Sequence, residues 1–186
     1  GRLDEMAAML GPLPEGVTVI DEADPSIAAA RAVALVRSGQ ADVLMKGLVA
    51  TSDYMKRILD RELGLLPPGR VLSHVTVLEL PRLPRLLFVA DVASIPQPGV
   101  AAKLQIIEYC LHAARSFGIA RPRVALVTAT EKVSAKMPAT VEADEIRRNG
   151  ADPGLREDRD HLAVEVAPGR LAVEQQHRGG AARALV

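Results

Sequence analysis

Short runs of β-branched and aliphatic residues alternate along this chain with stretches of helical spacing, and that alternation limits the available folds more than any single residue does. After an opening helix-like run from Arg2 to Leu10, Gly16-Val-Thr-Val-Ile20 reads as a strand. Asp24-Pro25 then supplies an N-cap and a first-turn proline for a helix from about Ser26 to Arg37, stopped by Ser38-Gly39. Val43-Leu44-Met45 reads as a second, buried strand. Thr51 or Ser52 caps a helix to about Glu62, ahead of Gly64 and the Pro67-Pro68-Gly69 break. Two strands follow, Arg70 to Leu80 and Leu86 to Ala90, joined by a segment with Pro81 and Pro84, which predicts a constrained hairpin-like link at a sheet edge. Pro96 to Gly99 leads into a long amphipathic helix that ends at Ser116 and Gly118, and Pro122 to Thr128 is another buried strand. The order β-α-β-α-β-β-α-β specifies a layered α/β domain with an inserted antiparallel element. Ligands of open α/β sheets bind beyond the carboxyl ends of strands, where Lys46, Asp91 and Thr128 to Glu131 fall.

Composition narrows the partners. Hydrophobic residues are 48% of the chain but aromatics only 2%, so the core is built from Leu, Val, Ile and Ala, as in buried parallel sheets. Lys plus Arg and Asp plus Glu balance at 23 each, and two Phe and two Tyr are too few for base-stacking platforms; nucleic acid is disfavoured as a partner. No apolar run reaches the ~18 residues of a membrane span, which predicts a cytoplasmic protein. The lone Cys110 rules out an intramolecular disulfide and a multi-cysteine metal site, and no metal is expected. With Ile106, Ile107, Leu111 and Ala114 it shares the apolar face of its helix and reads as a small buried hydrophobe.

The segment from Ala41 to Lys56 is the strongest chemical signal. A strand that ends in Lys46-Gly47 and opens a helix brings backbone N–H groups, hydroxyls and ammonium groups to a helix N-terminus, which favours an anion. Lys46 has few structural reasons to close an apolar strand, whereas Lys56 alone reads as a solvated surface charge and Thr51 and Ser52 as plain caps. Ser73 and His74 are adjacent in a strand and point to opposite faces, so both cannot enter one site. Asp91 can orient a cation or cap its loop. Neither Gly-x-Gly-x-x-Gly nor a P-loop pattern occurs. Beyond about Asp144 the chain changes character: charge is dense from Glu145 to Asp160, and Val164 to Val186 has no sustained periodicity. It reads as a divergent or disordered tail, or as out-of-frame translation.

Together, Ser38-Gly-Gln-Ala-Asp-Val-Leu-Met-Lys-Gly47, Thr51-Ser-Asp-Tyr-Met-Lys56, Leu72-Ser-His-Val-Thr-Val77, Leu87-Phe-Val-Ala-Asp91, Gly118-Ile-Ala-Arg-Pro-Arg-Val-Ala125 and Glu131-Lys-Val-Ser-Ala-Lys-Met-Pro-Ala-Thr140 resemble the phosphate acetyltransferase and phosphate butyryltransferase family, closer to its butyryl branch. The resemblance runs from about Gly16 to Ala143, so residues 1–143 are expected to be the family-like region and 144–186 the tail. It implies a three-layer α/β/α fold similar to isocitrate and isopropylmalate dehydrogenases, incomplete here, and a homodimer that transfers a short acyl group reversibly between coenzyme A and inorganic phosphate. It implies no cofactor, coenzyme A thioester being a substrate. Lys46, Asp91 and Glu131 are the implied catalytic residues; Gly47, Thr51, Ser52, Lys56, Ser134, Lys136 and Thr140 are the implied substrate contacts, with Thr140 capping its helix. Lys56 stands where the acetyl branch carries an arginine, and the loop Val92 to Pro98 lacks the family's asparagine. The family's first strand-helix unit, its later Gly-Pro-Leu strand and its thiol-handling aspartate have no counterpart here, and the implied alternative is an inactive ligand-binding fragment of the same fold.

Overall fold

The structure, a computed structural model, describes residues 3–12, 15–130, 132–149, 165–168 and 183–185. The chain forms two compact units, Gly1–Arg70 and Val71–Val186.

The first unit is helical. α1 spans Leu3–Leu10, α2 Pro25–Arg37 and α3 Thr51–Ile58. α2 begins as its sequence predicts: the Asp24 carboxylate accepts the N–H groups of Ser26 (2.7 Å) and Ile27 (3.0 Å), and Pro25 occupies the first turn, where no N–H is needed. Gly39 follows its end at φ +73°, a conformation that costs glycine little. α3 differs from expectation at both ends. Its N-cap is Ala50, without a side-chain bond, so Thr51 and Ser52 are its first helical residues rather than caps. It stops at Ile58 because Asp60 Oδ1 takes the N–H groups of Glu62 (3.0 Å) and Leu63 (2.8 Å) into a local turn that competes with the helix. Gly16 to Ile20 and Val43 to Met45 are not strands. Val43 and Met45 are 80% and 89% exposed, so the expected buried strand is a segment without a ladder partner among the described residues.

The second unit carries a five-stranded sheet in the order β1-β2-β5-β3-β4. β1 is Thr76–Leu78, β2 Leu87–Val89, β3 Arg123–Thr128, β4 Glu165–Pro168 and β5 Arg183–Leu185. β1 pairs antiparallel with β2, Val77 opposite Phe88, and lies at the sheet edge as the two prolines predict. Both strands are shorter than expected. The remaining pairings, β2 with β5 and β3 with β5 and β4, are parallel. The class is therefore α/β, as the alternation implies. Of the expected tail, α5 (Pro138–Asn149), β4 and β5 are described; the rest of 150–186 lies outside the described residues.

α4, Val100–Ser116, packs on β2 and against α5. Phe88 and Ala90 from β2 and its end, Ile106, Ile107, Cys110, Leu111 and Ala114 from α4, Val124 and Leu126 from β3, and Ala143 and Ile146 from α5 form one buried cluster. Cys110 is a packing residue in it, as its helical position predicts. Burial pushes its thiol up to about 11, so little thiolate exists at neutral pH. The expected result with a thiol reagent is no labelling of the native chain at neutral pH, and stoichiometric labelling after denaturation, read by mass spectrometry.

Charge secures the other end of α5. The hydrogen bond from Arg147 (2.7 Å) holds the Asp144 carboxyl below its usual range against the upward push of burial, with Arg148 assisting (2.8 Å). A carboxyl lowered on folding contributes stability that is present above its unfolded value of 3.8 and is lost as pH falls through the lower folded value. Asp144→Asn is thus expected to destabilise the chain at about pH 7 and to cost progressively less as pH falls below the ordinary carboxylate range, measured by urea unfolding across that range.

Candidate active site

A cleft of about 590 Å3 opens at the carboxyl ends of β2 and β3. The size suits a small-molecule ligand, and the position is the one parallel sheets reserve for it. Its floor is apolar, from Ala90, Ile106 and Leu126. Asp91 enters from the end of β2, Thr128 and Ala129 from the end of β3, Gln97 to Gly99 from the loop that leads into α4, and Lys136 to Thr140 from the loop before α5 and its first turn. Two helix N-termini thus border the cleft. Gly99 caps α4 without a side chain, which leaves first-turn N–H groups there without a cap.

Asp91 is the best-defined polar group. Its Oδ1 accepts the N–H groups of Ala93 (2.9 Å) and Ser94 (2.7 Å), which turns the chain away from β2. Burial pushes its carboxyl up, but the Ser94 and Ala93 N–H groups, the Ser73 hydroxyl and the His74 N–H together hold it below the usual range, so it is ionised at neutral pH. Its Oδ2 and the Ser73 Oγ are both buried, and neither makes a hydrogen bond of normal geometry.

On the opposite wall, Thr140 is 1% exposed and does not cap α5, contrary to its sequence reading. Pro138 already begins that helix, so Thr140 sits inside the first turn. Its Oγ1 accepts the N–H of Ser134 (2.9 Å) and donates to the carbonyl of Met137 (2.8 Å), fastening the loop from 134 to 137 onto the helix. Lys136 stands on that loop, its N–H on Ser134 Oγ (3.3 Å), with an exposed ammonium that has no partner among the described residues. Thr128 Oγ1 donates to the Thr130 carbonyl (2.7 Å) and bends the chain off β3. The structure therefore brings Asp91, Lys136 and Thr140 to one cleft, with Ser134 tied behind it. Glu131 lies outside the described residues.

One feature of the cleft has no sequence signal. Lys103 of α4 and Glu142 of α5 form an ion pair across it, their side chains 15% and 29% exposed. A lysine in the first turn and a half of a helix opposes the helix dipole unless it is paired. The partner is 39 residues away in sequence, beyond any local pattern. Among the described residues, no group of three His, Cys, Asp or Glu side chains is placed to hold a metal ion, and no helix is long and apolar enough to cross a membrane.

The first unit holds the other predicted residues on one turn. Lys46 Nζ donates to the carbonyls of Val49 (3.2 Å) and Gly47 (3.5 Å), and Tyr54 Oη to that of Leu44 (3.1 Å), so the segment before α3 is held by its own side chains. Thr51, Ser52 and Lys56 are exposed, and none of their side chains has a hydrogen bond among the described residues. With no side-chain cap at Ala50, the first-turn N–H groups of α3 stay open beside these hydroxyls, the arrangement that receives anions at helix N-termini.

The sequence profile of the phosphate acetyl/butaryl transferase family matches residues 14–152. The phosphate butyryltransferase of Clostridium acetobutylicum is 39% identical over 125 residues, 67% of this chain and 41% of that protein. The phosphate acetyltransferase of Thermotoga maritima is 40% identical over 124 residues, 67% of this chain and 42% of that protein. The chain thus spans about two fifths of the length of these curated relatives. Its fold is that of a branched-chain phosphotransacylase from Enterococcus faecalis V583: the two superpose with a TM-score of 0.70 at 24% identity, over 97% of this chain and 72% of that one.

Proposed function

The chain belongs to the phosphate acetyl/butaryl transferase family, and on that premise we propose that it is a phosphate acyltransferase that moves a short acyl group, butyryl or acetyl, reversibly between coenzyme A and inorganic phosphate. The observation that carries this reading is the cleft at the ends of β2 and β3, where an ionised Asp91, a Lys136 with no partner among the described residues and two helix N-termini meet over an apolar floor. An apolar floor suits an acyl chain, and open N–H groups with a free ammonium suit the anionic parts of both substrates.

In the forward step a phosphate oxygen attacks the thioester carbonyl carbon. The C–O bond to phosphate forms, the C–S bond breaks, and the thiolate takes up a proton as the acyl phosphate is released. Phosphate is itself the nucleophile, so no covalent enzyme intermediate is needed, in keeping with the buried, protonated Cys110. The residues have to position an anion and stabilise a developing oxyanion. We assign catalytic roles to Lys46, Asp91 and Glu131, and substrate contacts to Gly47, Thr51, Ser52, Lys56, Ser134, Lys136 and Thr140, those from Gly47 to Lys56 toward phosphate. Lys56 contributes as a point charge and not as a bidentate fork. Coenzyme A enters as a substrate and not as a resident cofactor, and the working form is a cytoplasmic homodimer.

The test is release of free thiol from butyryl-coenzyme A in the presence of phosphate, measured on this chain and on one extended at both ends to the length of its relatives. Phosphate-dependent release by either form supports the proposal. Its absence from both, with each form folded by circular dichroism, overturns it.

A further inference from the structure

The first unit contains a separate cavity of about 350 Å3 between α2 and α3, lined by none of the residues assigned above. Arg37 and Arg57 line it alongside one acidic residue, Asp60. Each charge is only partly used. Arg37 Nη1 donates to the Glu62 carbonyl; Arg57 Nη2 donates to Ser26 Oγ (2.6 Å), and its Nε is buried without a partner among the described residues. Asp60 spends Oδ1 on its own turn, and neither arginine forms an ion pair among the described residues. The wall between them is apolar: Ala30, Val33 and Ala34 of α2, with Leu63 at the rim.

Two cations against one anion leave room for a single negative charge. A compact dianion such as phosphate would meet Asp60 and gain nothing from the aliphatic wall. A monoanion with a short alkyl tail satisfies both halves, its oxygens on the guanidinium forks and its tail on Val33 and Leu63. We propose that this cavity binds a short-chain carboxylate, held by Arg37 and Arg57 against the apolar face of α2.

The experiment is an NMR titration of the full chain with sodium hexanoate, with inorganic phosphate and hexanol as comparison ligands. Saturable shifts at the amides of Ala30, Val33, Ala34 and Leu63 are expected with hexanoate alone. Arg37→Met and Arg57→Met should each weaken binding by about tenfold, the loss expected when one charge-assisted contact is removed. Arg37 is exposed, so its variant remains a valid test if the Arg57 variant does not fold. Equal saturation by phosphate or by hexanol, no saturable shift with hexanoate, or hexanoate binding unchanged in a folded arginine variant would overturn the proposal.

Discussion

Replacing Asp91 by Asn is expected to lower kcat/KM for acyl-coenzyme A by about 100-fold while leaving stability within ~1 kcal/mol of the wild type, in whichever form of the chain turns over. Asp91 has two separable tasks. Its Oδ1 receives two backbone N–H groups and sets the course of the loop that walls the cleft. An asparagine oxygen can receive the same bonds, so the turn survives the change. What asparagine cannot supply is the charge, and the structure holds that charge ready: the Ser94 and Ala93 N–H groups on Oδ1 help keep the carboxyl ionised despite burial, and Oδ2 has no hydrogen bond among the described residues. A buried carboxylate oxygen with unused lone pairs is costly unless it meets a cation or a proton. Asp91→Ala removes both tasks, so it should lose activity to a similar extent and lose stability as well, by ~1–3 kcal/mol for the two N–H groups left without their acceptor. The pair of variants separates the roles. Activity of the asparagine variant within about threefold of wild type would make Asp91 a loop-setting residue only. The pH profile gives a second reading: a carboxyl lowered on folding stays ionised until pH falls below the usual carboxylate range, so the acid limb of kcat/KM should lie below about pH 4 if Asp91 sets it.

The positions of these groups were legible in the chain to very different degrees. Helices with strong local signals formed as expected: Asp24-Pro25 begins α2, and α4 runs to Ser116 with Gly118 just beyond at φ +82°. So did the edge hairpin and the end of β2 at Asp91, because proline placement and a run such as Leu87-Phe-Val act within a few residues. What failed depended on distant partners. Val43-Leu44-Met45 has the composition of a strand, but a strand also needs a ladder, and none pairs with it among the described residues. Thr140 looks like a cap from its position after Pro138, yet its hydroxyl reaches back to Ser134, six residues away, and is buried there. In the other direction, β5 lies between β2 and β3 although Arg183–Leu185 has almost no strand pattern of its own; its pairing is made by backbone groups, which carry no side-chain signature. The Lys103–Glu142 pair across the cleft belongs to the same class of feature.

The largest effect on stability should come from Phe88→Ala, about 3–5 kcal/mol, read as a fall of roughly 10 °C in Tm. Aromatic residues are scarce, and Phe88 is the largest side chain that is fully buried. It lies in the middle of β2 against Ile106, Ile107 and Leu111 of α4 and Val124 of β3, so truncation opens a cavity where sheet and helix meet. Its contact with Phe117 is edge-to-face, centroids 5.6 Å apart at 72°, and is worth a further ~0.5–1.5 kcal/mol. Phe117 itself is 58% exposed and leaves little void when removed, so Phe117→Ala should cost only about 1 kcal/mol. The contrast between the two variants distinguishes core packing from the ring contact: equal losses would place the energy in the aromatic pair and not in the cavity. Phe88 also stands three residues before Asp91, which follows the end of β2, and Ile106 lines the cleft floor. Shrinking Phe88 lets β2 and α4 relax toward each other and moves Asp91 relative to the loop that carries Lys136. Activity measured well below the variant's own Tm should therefore fall too, whereas a loss seen only near Tm would mean that the core supports the fold without setting the geometry of the cleft.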